Sequence, residues 1–246
     1  MRIMVMHKHD KSTEAGVKPS PALVEEMGKL VGGLVQSGVF KDGAGLGKSA
    51  TRTRLTFKNG ERTVLEGPYT GSDNELIGAF MQLTVKSRAE AVEWASKLGR
   101  VLGDVELEVG KTTEPWDLGL APEPPNPPLH YLLLQKATKD SEAGKAPSAT
   151  VRADVAKLKK EMSDAGVLTS AATLAPSARG ARIHMGGGKR KVVDGPFTES
   201  KELIGGFSLL ELPSKEAAIE FCWGYGDLLL TGVDALEIDV RPLLEE

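Results

Sequence analysis

Two acid-Gly-Pro turns, four histidines and one glycine run are the residues of this 246-residue sequence whose types and spacing could do chemistry. The first turn is Glu66-Gly67-Pro68-Tyr69-Thr70, running on to Glu75-Leu76-Ile77-Gly78-Ala79-Phe80. The second is Asp194-Gly195-Pro196-Phe197-Thr198, running on to Glu202-Leu203-Ile204-Gly205-Gly206-Phe207. Proline fixes φ and removes a donor. An acid before Gly-Pro can accept backbone N–H groups and close an Asx-type turn, or it can face a ligand. A carboxylate acting as general base needs a proton within reach and a pKa raised by burial. His184 precedes Asp194 across an expected hairpin, so Asp194, His184 and Glu66 are the candidates for acid-base catalysis. The competing reading is a turn lock beside an exposed strand histidine.

Other chemistry finds less support. His7-Lys8-His9-Asp10 places two histidines on one strand face, and two ligands are too few for zinc. No metal or cofactor is expected. Gly186-Gly187-Gly188 lacks the phosphate-loop pattern and no helix follows, so it reads as a hairpin tip. No G-x-S-x-G elbow or Ser-His-Asp spacing is present.

The elements that must position these residues come in two copies. Asp194 stands 128 residues after Glu66, and the same offset aligns Glu14 with Glu142, Gly38 with Gly166 and Arg54 with Arg182. It sets His7 against Gln135, His9 against Ala137, Thr56 against His184 and Arg2 against His130, so no histidine occurs in both copies. Beyond the turn the offset falls to 127. The expected units are residues 1–112, a linker at 113–128 built on Glu123-Pro124-Pro125-Asn126-Pro127-Pro128, and residues 129–246.

Each copy opens with an apolar strand (Ile3 onward, Leu129 onward) and a polar loop. Ser20-Pro21 predicts a helix N-cap with proline at the first position. Leu23, Met27, Leu30 and Leu34 form its apolar stripe, and Gly38 ends it. Asn59-Gly60 predicts a hairpin. In the strand after the turn, Ile77, Ala79, Met81, Leu83 and Val85 should lie under helices. The mixed opposite face is Gly78, Phe80, Gln82 and Thr84, matched by Gly205, Phe207, Leu209 and Glu211. Ser87 to Glu90 reads as a capping box. Val105 to Val109 alternates with Glu106 and Glu108 outward, as in a strand near an edge. The last helix, from Ser214, is expected to be irregular near Gly224 and Gly226.

The pattern β-α-β, hairpin, β-α-β predicts an α+β fold of two tandem ferredoxin-like modules. Their bare sheet faces should cover each other as an intramolecular dimeric α+β barrel, with Phe80 and Phe207 meeting. A net charge of −3 argues against a nucleic-acid surface. A single cysteine, Cys222, excludes an internal disulfide and fits a reducing compartment. No apolar run approaches the about 20 residues of a membrane span. The start does not resemble a signal peptide. The expectation is a soluble cytoplasmic protein.

Asp194-Gly195-Pro196-Phe197 followed by Glu202-Leu203-Ile204-Gly205-Gly206-Phe207 resembles the DGPF signature of the YCII-related family, and Glu66-Gly67-Pro68-Tyr69 resembles a divergent version. The resemblance implies a dimeric α+β barrel. It also implies a His-Asp active-site pair as proposed for related proteins, which the unpaired histidines here do not reproduce. Some DGPF proteins lie beside extracytoplasmic-function sigma factors, which implies a regulatory context. Three functions remain open. One is a module binding a small molecule in a cleft lined by Phe80, Gln82, Thr84, Phe207, Leu209 and Glu211. The second is a structural or protein-binding module with a filled barrel. The third is a small-molecule enzyme using an Asp/His pair. Homodimerisation of the pseudo-dimer is a further expectation.

Overall fold

The structure, a computed structural model, describes residues 1–71, 74–197 and 202–244. Strand β1 (Arg2–Lys8) is followed by the short α1 (Lys11–Glu14), α2 (Pro21–Gln36) and β2 (Phe40–Gly45). A 3-10 turn (Ser49–Thr51) leads into β3 (Arg52–Lys58), β4 (Glu61–Glu66), β5 (Ile77–Val85), α3 (Arg88–Leu102) and β6 (Val105–Lys111). The order then repeats: β7 (Leu129–Lys136), α4 (Lys139–Glu142), α5 (Ala149–Asp164), β8 (Leu168–Thr173), a 3-10 turn (Ser177–Arg179), β9 (Ala181–Gly186), β10 (Lys189–Asp194), β11 (Ile204–Glu211), α6 (Lys215–Leu229) and β12 (Ala235–Pro242).

The predicted caps form. The Ser20 side chain accepts from Leu23 N, Pro21 opens α2, and Gly38 has φ 71°. Ser87 accepts from Glu90 N, while the Glu90 carboxylate reaches the Lys86 amide. The expected polar loop after β1 is instead a helical turn, because Asp10 caps it by accepting from Ser12 N and Thr13 N. Helix α6 runs through Gly224 and Gly226 without a break. A Cβ on Gly226 would strike the Met185 sulfur, so the glycine lets the helix lie close to β9.

The strands form two antiparallel six-stranded sheets, ordered β4-β3-β6-β7-β5-β8 and β10-β9-β12-β1-β11-β2. Sheet membership does not follow the sequence repeat. The first sheet takes β7 and β8 from the second half of the chain, and the second takes β1 and β2 from the first half. The helices follow their strands: α3 and α5 cover the first sheet, α2 and α6 the second. The architecture is therefore α+β with two ferredoxin-like layers, each assembled from both halves.

Between the sheets lies a core of Met4, Met6, Leu46, Phe80, Leu132, Leu134, Leu174 and Phe207. The Phe80 and Phe207 rings meet there at 6.0 Å. Among the described residues the sheets share no continuous ladder. Single bridges, Leu46 to Thr112 and Leu174 to Leu243, join them at two corners, where a closed barrel was expected.

Two strand assignments differ from the sequence reading. Ile77 packs between the sheets, not under helices, because a bulge between Ile77 and Ala79 reverses the alternation. Strand β6 sits between β3 and β7, away from any edge, and Glu108 on it is 1% exposed. Alternation separates two faces but does not say which one is wet. Here the polar face is buried because β3 supplies Arg54 opposite Glu108, and also Arg52, which reaches the same carboxylate from the next pair on that face.

Candidate functional site

The acid-Gly-Pro turns fold over the ends of the sheets and make two seams related by the repeat. Both Gly-Pro bonds are cis. In one seam the Ser49 hydroxyl accepts from Tyr69 N, and in the other the Ser177 hydroxyl accepts from Phe197 N. Glu14 accepts from Ser49 N at 3.0 Å, and Glu142 from Ser177 N at 2.9 Å. A Cβ on Gly67 would overlap the Ser49 carbonyl, and one on Gly195 the Ser177 carbonyl. Glycine is thus required by close approach.

The scaffold is common to both seams, but the side chains differ. His9 N donates to Leu203 O at 2.7 Å and Ala137 N to Leu76 O at 2.8 Å, so His9 and Ala137 hold equivalent places. Ala137, Leu76 and Phe197 form an apolar cluster in one seam. The other seam has His9 in place of the alanine and Tyr69 in place of the phenylalanine. His9 comes from the end of β1 in one sheet. Tyr69 follows β4 in the other, with its ring under the Arg54 guanidinium at 4.6 Å.

Charge is dense around this second pair. Arg52 donates to Glu108 at 3.0 Å, to Gly47 O and to Ile204 O. Arg54 bridges Glu75 at 2.7 Å and Glu108 at 3.1 Å. Lys136 pairs with Glu75. Burial alone would raise the Glu108 carboxyl, but Lys136, Arg52 and Arg54 outweigh it and hold the pKa at about 2. Burial and the Arg52 charge lower the His9 pKa, against Glu14 and Asp10. His9 Nδ1 lies 3.2 Å from the Glu14 carboxylate. That carboxylate also accepts a hydrogen bond from the Ser49 hydroxyl. Burial first, then Glu108, push the Tyr69 phenol up. Its hydroxyl lies beside the Glu108 carboxylate.

Buried polar atoms are normally satisfied. Among the described residues six buried side-chain atoms are left without a hydrogen bond, and three of them are in this seam: His9 Nε2, Tyr69 Oη and Arg54 Nε. Arg54 Nε faces the Glu106 carboxylate at 3.5 Å and the Tyr69 hydroxyl lies beside Glu108, which leaves His9 Nε2 as the atom with no partner in the seam.

The residues singled out from sequence lie elsewhere. Asp194 is exposed and takes a hydrogen bond from Lys215 at 2.7 Å. Glu66 is exposed and pairs with Arg88 and Thr53. Among the described residues neither acid accepts a turn amide; Ser49 and Ser177 do that work. Thr198 lies outside the described residues. His184 is exposed beside Glu237, its Nδ1 at 3.5 Å, and stands opposite Lys191, so the structure does not pair it with Asp194. Phe80 and Phe207 fill the centre between the sheets, with Leu209 packed beside them. Gln82 donates to Asp42 at 2.7 Å, Thr84 meets Thr169 at 3.2 Å, and Glu211 pairs at the surface with Lys41. His7 points away from the seam to the Tyr225 hydroxyl at 2.8 Å. Among the described residues no group of three or more potential metal ligands occurs, and no helix is long and apolar enough to cross a membrane.

A two-layered α+β protein with paired Gly-Pro turns is the class this geometry defines. Comparison with known proteins agrees. The YCII-related domain model matches residues 129–225. An uncharacterised protein of Rhizobium meliloti (strain 1021) is 32% identical over 93 residues, which cover 38% of this chain and 73% of the relative. The chain belongs to the YCII-related family. No solved structure matches it.

Proposed function

We propose that the protein is a small-molecule-binding module of a regulatory kind, with its ligand held between the two sheets at the His9–Tyr69 seam. The observation that carries this reading is the buried, unpartnered His9 Nε2 in the seam that carries Tyr69, where the equivalent seam is closed by Ala137 and Phe197. Leaving a buried donor or acceptor unpaired costs about 1–3 kcal/mol. A fold that keeps a buried imidazole nitrogen unpaired, where its own repeat shows an apolar solution, gains from something that fills it. The Phe80–Phe207 contact directs the reading to the end of the sheets and away from their centre.

Thermal unfolding against a metabolite panel tests it. A ligand binding only the folded state adds about 2.7 kcal/mol at 100 times its dissociation constant. The shift should vanish in His9→Ala/Tyr69→Phe, which copies the Ala137–Phe197 seam. A second reading, a protein-binding module with a filled interior, is favoured by the packed centre. It predicts no shift with any small molecule.

A further inference from the structure

Each hairpin ends its sheet on a strand with one side bare. Strand β4 is a terminal strand of the first sheet and β10 of the second, and among the described residues no strand pairs with their outer edges. Gly67 N donates to Arg52 O, so the pairs that exchange backbone hydrogen bonds across the first hairpin are Arg54 with Leu65, Thr56 with Thr63 and Lys58 with Glu61. The amides and carbonyls of Arg62, Val64 and Glu66 therefore point away from β3. All residues of β4 are exposed, Val64 by 43% and Leu65 by 51%. An open edge with apolar side chains at its middle is a template for another strand.

The order of side chains selects that strand. Arg62, Val64 and Glu66 lie on the helix-bearing face, opposite Phe57, Leu55 and Thr53. Within the chain Arg62 donates to Ser96 and Glu66 pairs with Arg88, and both stay exposed at the edge. An antiparallel pairing of two copies of β4, centred on Val64, sets Val64 against Val64 of the partner subunit. The same register sets Arg62 against Glu66 of the partner subunit on both sides of the axis, and Thr63 against Leu65 of the partner subunit on the other face. Opposite charges directly across a strand pair stabilise it. The neighbouring registers face a charge with Val64 and lose both pairs.

Strand β10 repeats the pattern with Arg190, Val192 and Asp194, whose backbone groups face outward for the same reason. It differs on the other face, where Lys189 and Lys191 stand in place of Glu61 and Thr63. Edge lysines guard a strand against pairing, and two copies of β10 would crowd theirs together. Arg190 is also held by both Asp227 oxygens and lies over the Trp223 ring. Strand β4 carries no lysine.

We infer that β4 is a dimerisation edge: two copies of this chain join antiparallel through β4 about a two-fold axis at Val64, with Arg62 and Glu66 as reciprocal charge pairs and the first sheets merged into one. An isologous contact of this kind closes at two copies.

Sedimentation velocity of the full chain over a concentration series tests it. The expected result is a reversible monomer–dimer equilibrium. Val64→Lys places like charges on the axis and should leave monomer at every concentration, while Val192→Lys should change nothing. Arg62→Glu and Glu66→Arg should each be monomeric alone, since each sets like charges against one another. Their equimolar mixture should restore the dimer, because every opposing pair then has opposite signs. Unfolding midpoints report that each variant folds. A wild-type chain that stays monomeric up to its solubility limit overturns the inference. So does a dimer that survives Val64→Lys or either charge variant. A mixture that stays monomeric although both chains fold overturns the pairing about Val64. Association that continues beyond two copies and is lost in Val192→Lys assigns the contact to β4 against β10, and overturns it as well.

Discussion

Arg52 and Arg241 fill equivalent places in the two halves from non-equivalent strands, Arg52 from β3 and Arg241 from β12. Arg52 opposes Gly110 and donates to Gly47 O. Arg241 lies against Gly180 and donates to Ala175 O, the counterpart of Gly47. Each half therefore keeps one arginine and one glycine at the crossing, in opposite order. Arg52→Ala should destabilise by about 3–5 kcal/mol, because it leaves Glu108 buried with less compensation. Arg52→Gly/Gly110→Arg should recover part of that loss in denaturant unfolding. No recovery would mean that the crossing does not tolerate the exchange.

Gly67 and Gly195 should tolerate no side chain. Gly67→Ala or Gly195→Ala forces a methyl into a serine carbonyl, and each should cost about 3 kcal/mol or more. Ser49→Ala should cost less, roughly 1–3 kcal/mol, since it removes the hydroxyl that receives Tyr69 N and leaves the backbone path open. Equal losses in the two kinds of variant would contradict the close-approach argument.

Acid should weaken the fold in two stages. Burial, with a smaller contribution from His9, lowers the His7 pKa from 6.5 to about 4. The unfolded chain then binds a proton that the folded chain refuses, so stability is lost as pH falls from 6.5 towards 4, by on the order of 3 kcal/mol. Gly206 makes room for the ring, since a Cβ there would lie 2.5 Å from it. His7→Gln, which copies Gln135, should flatten this stage in pH-dependent unfolding. An unchanged slope would sink the assignment.

The second stage belongs to Glu108. Its folded pKa of about 2 lies below the ordinary 4.5, so its contribution is present above 4.5 and lost as pH falls towards 2. Glu108→Gln should remove that stage and also lower stability at neutral pH, because Arg52 and Arg54 lose a buried counter-charge. A variant that keeps the wild-type acid slope below pH 4.5 would place the titration elsewhere.

The repeated order of elements, the caps, the Asn59–Gly60 hairpin and the contact of Phe80 with Phe207 were legible in the sequence, because each follows from residue type, its recurrence or alternation. Strand membership was not. Backbone ladders carry no residue identity, so β1 reads the same whether it pairs within its own half or the other. Glu106 and Glu108 looked outward because the two faces of β6 differ in polarity without saying where water lies. His9 was set aside because Ala137 stands opposite it. The available signal was its coincidence with Tyr69 opposite Phe197: two polar-for-apolar differences in one seam. The Glu14 partner was hidden by the unrecognised turn of helix that Asp10 caps.

The way the sheets are assembled makes each half of the chain a template for the other. A cut between residues 112 and 129 should leave two fragments, each lacking two strands of one sheet and holding two strands of the other. They should fold only when mixed, with a midpoint that rises with concentration. The proline-rich tether then acts through effective concentration, and the molecule is one cooperative unit written as two sentences that complete each other.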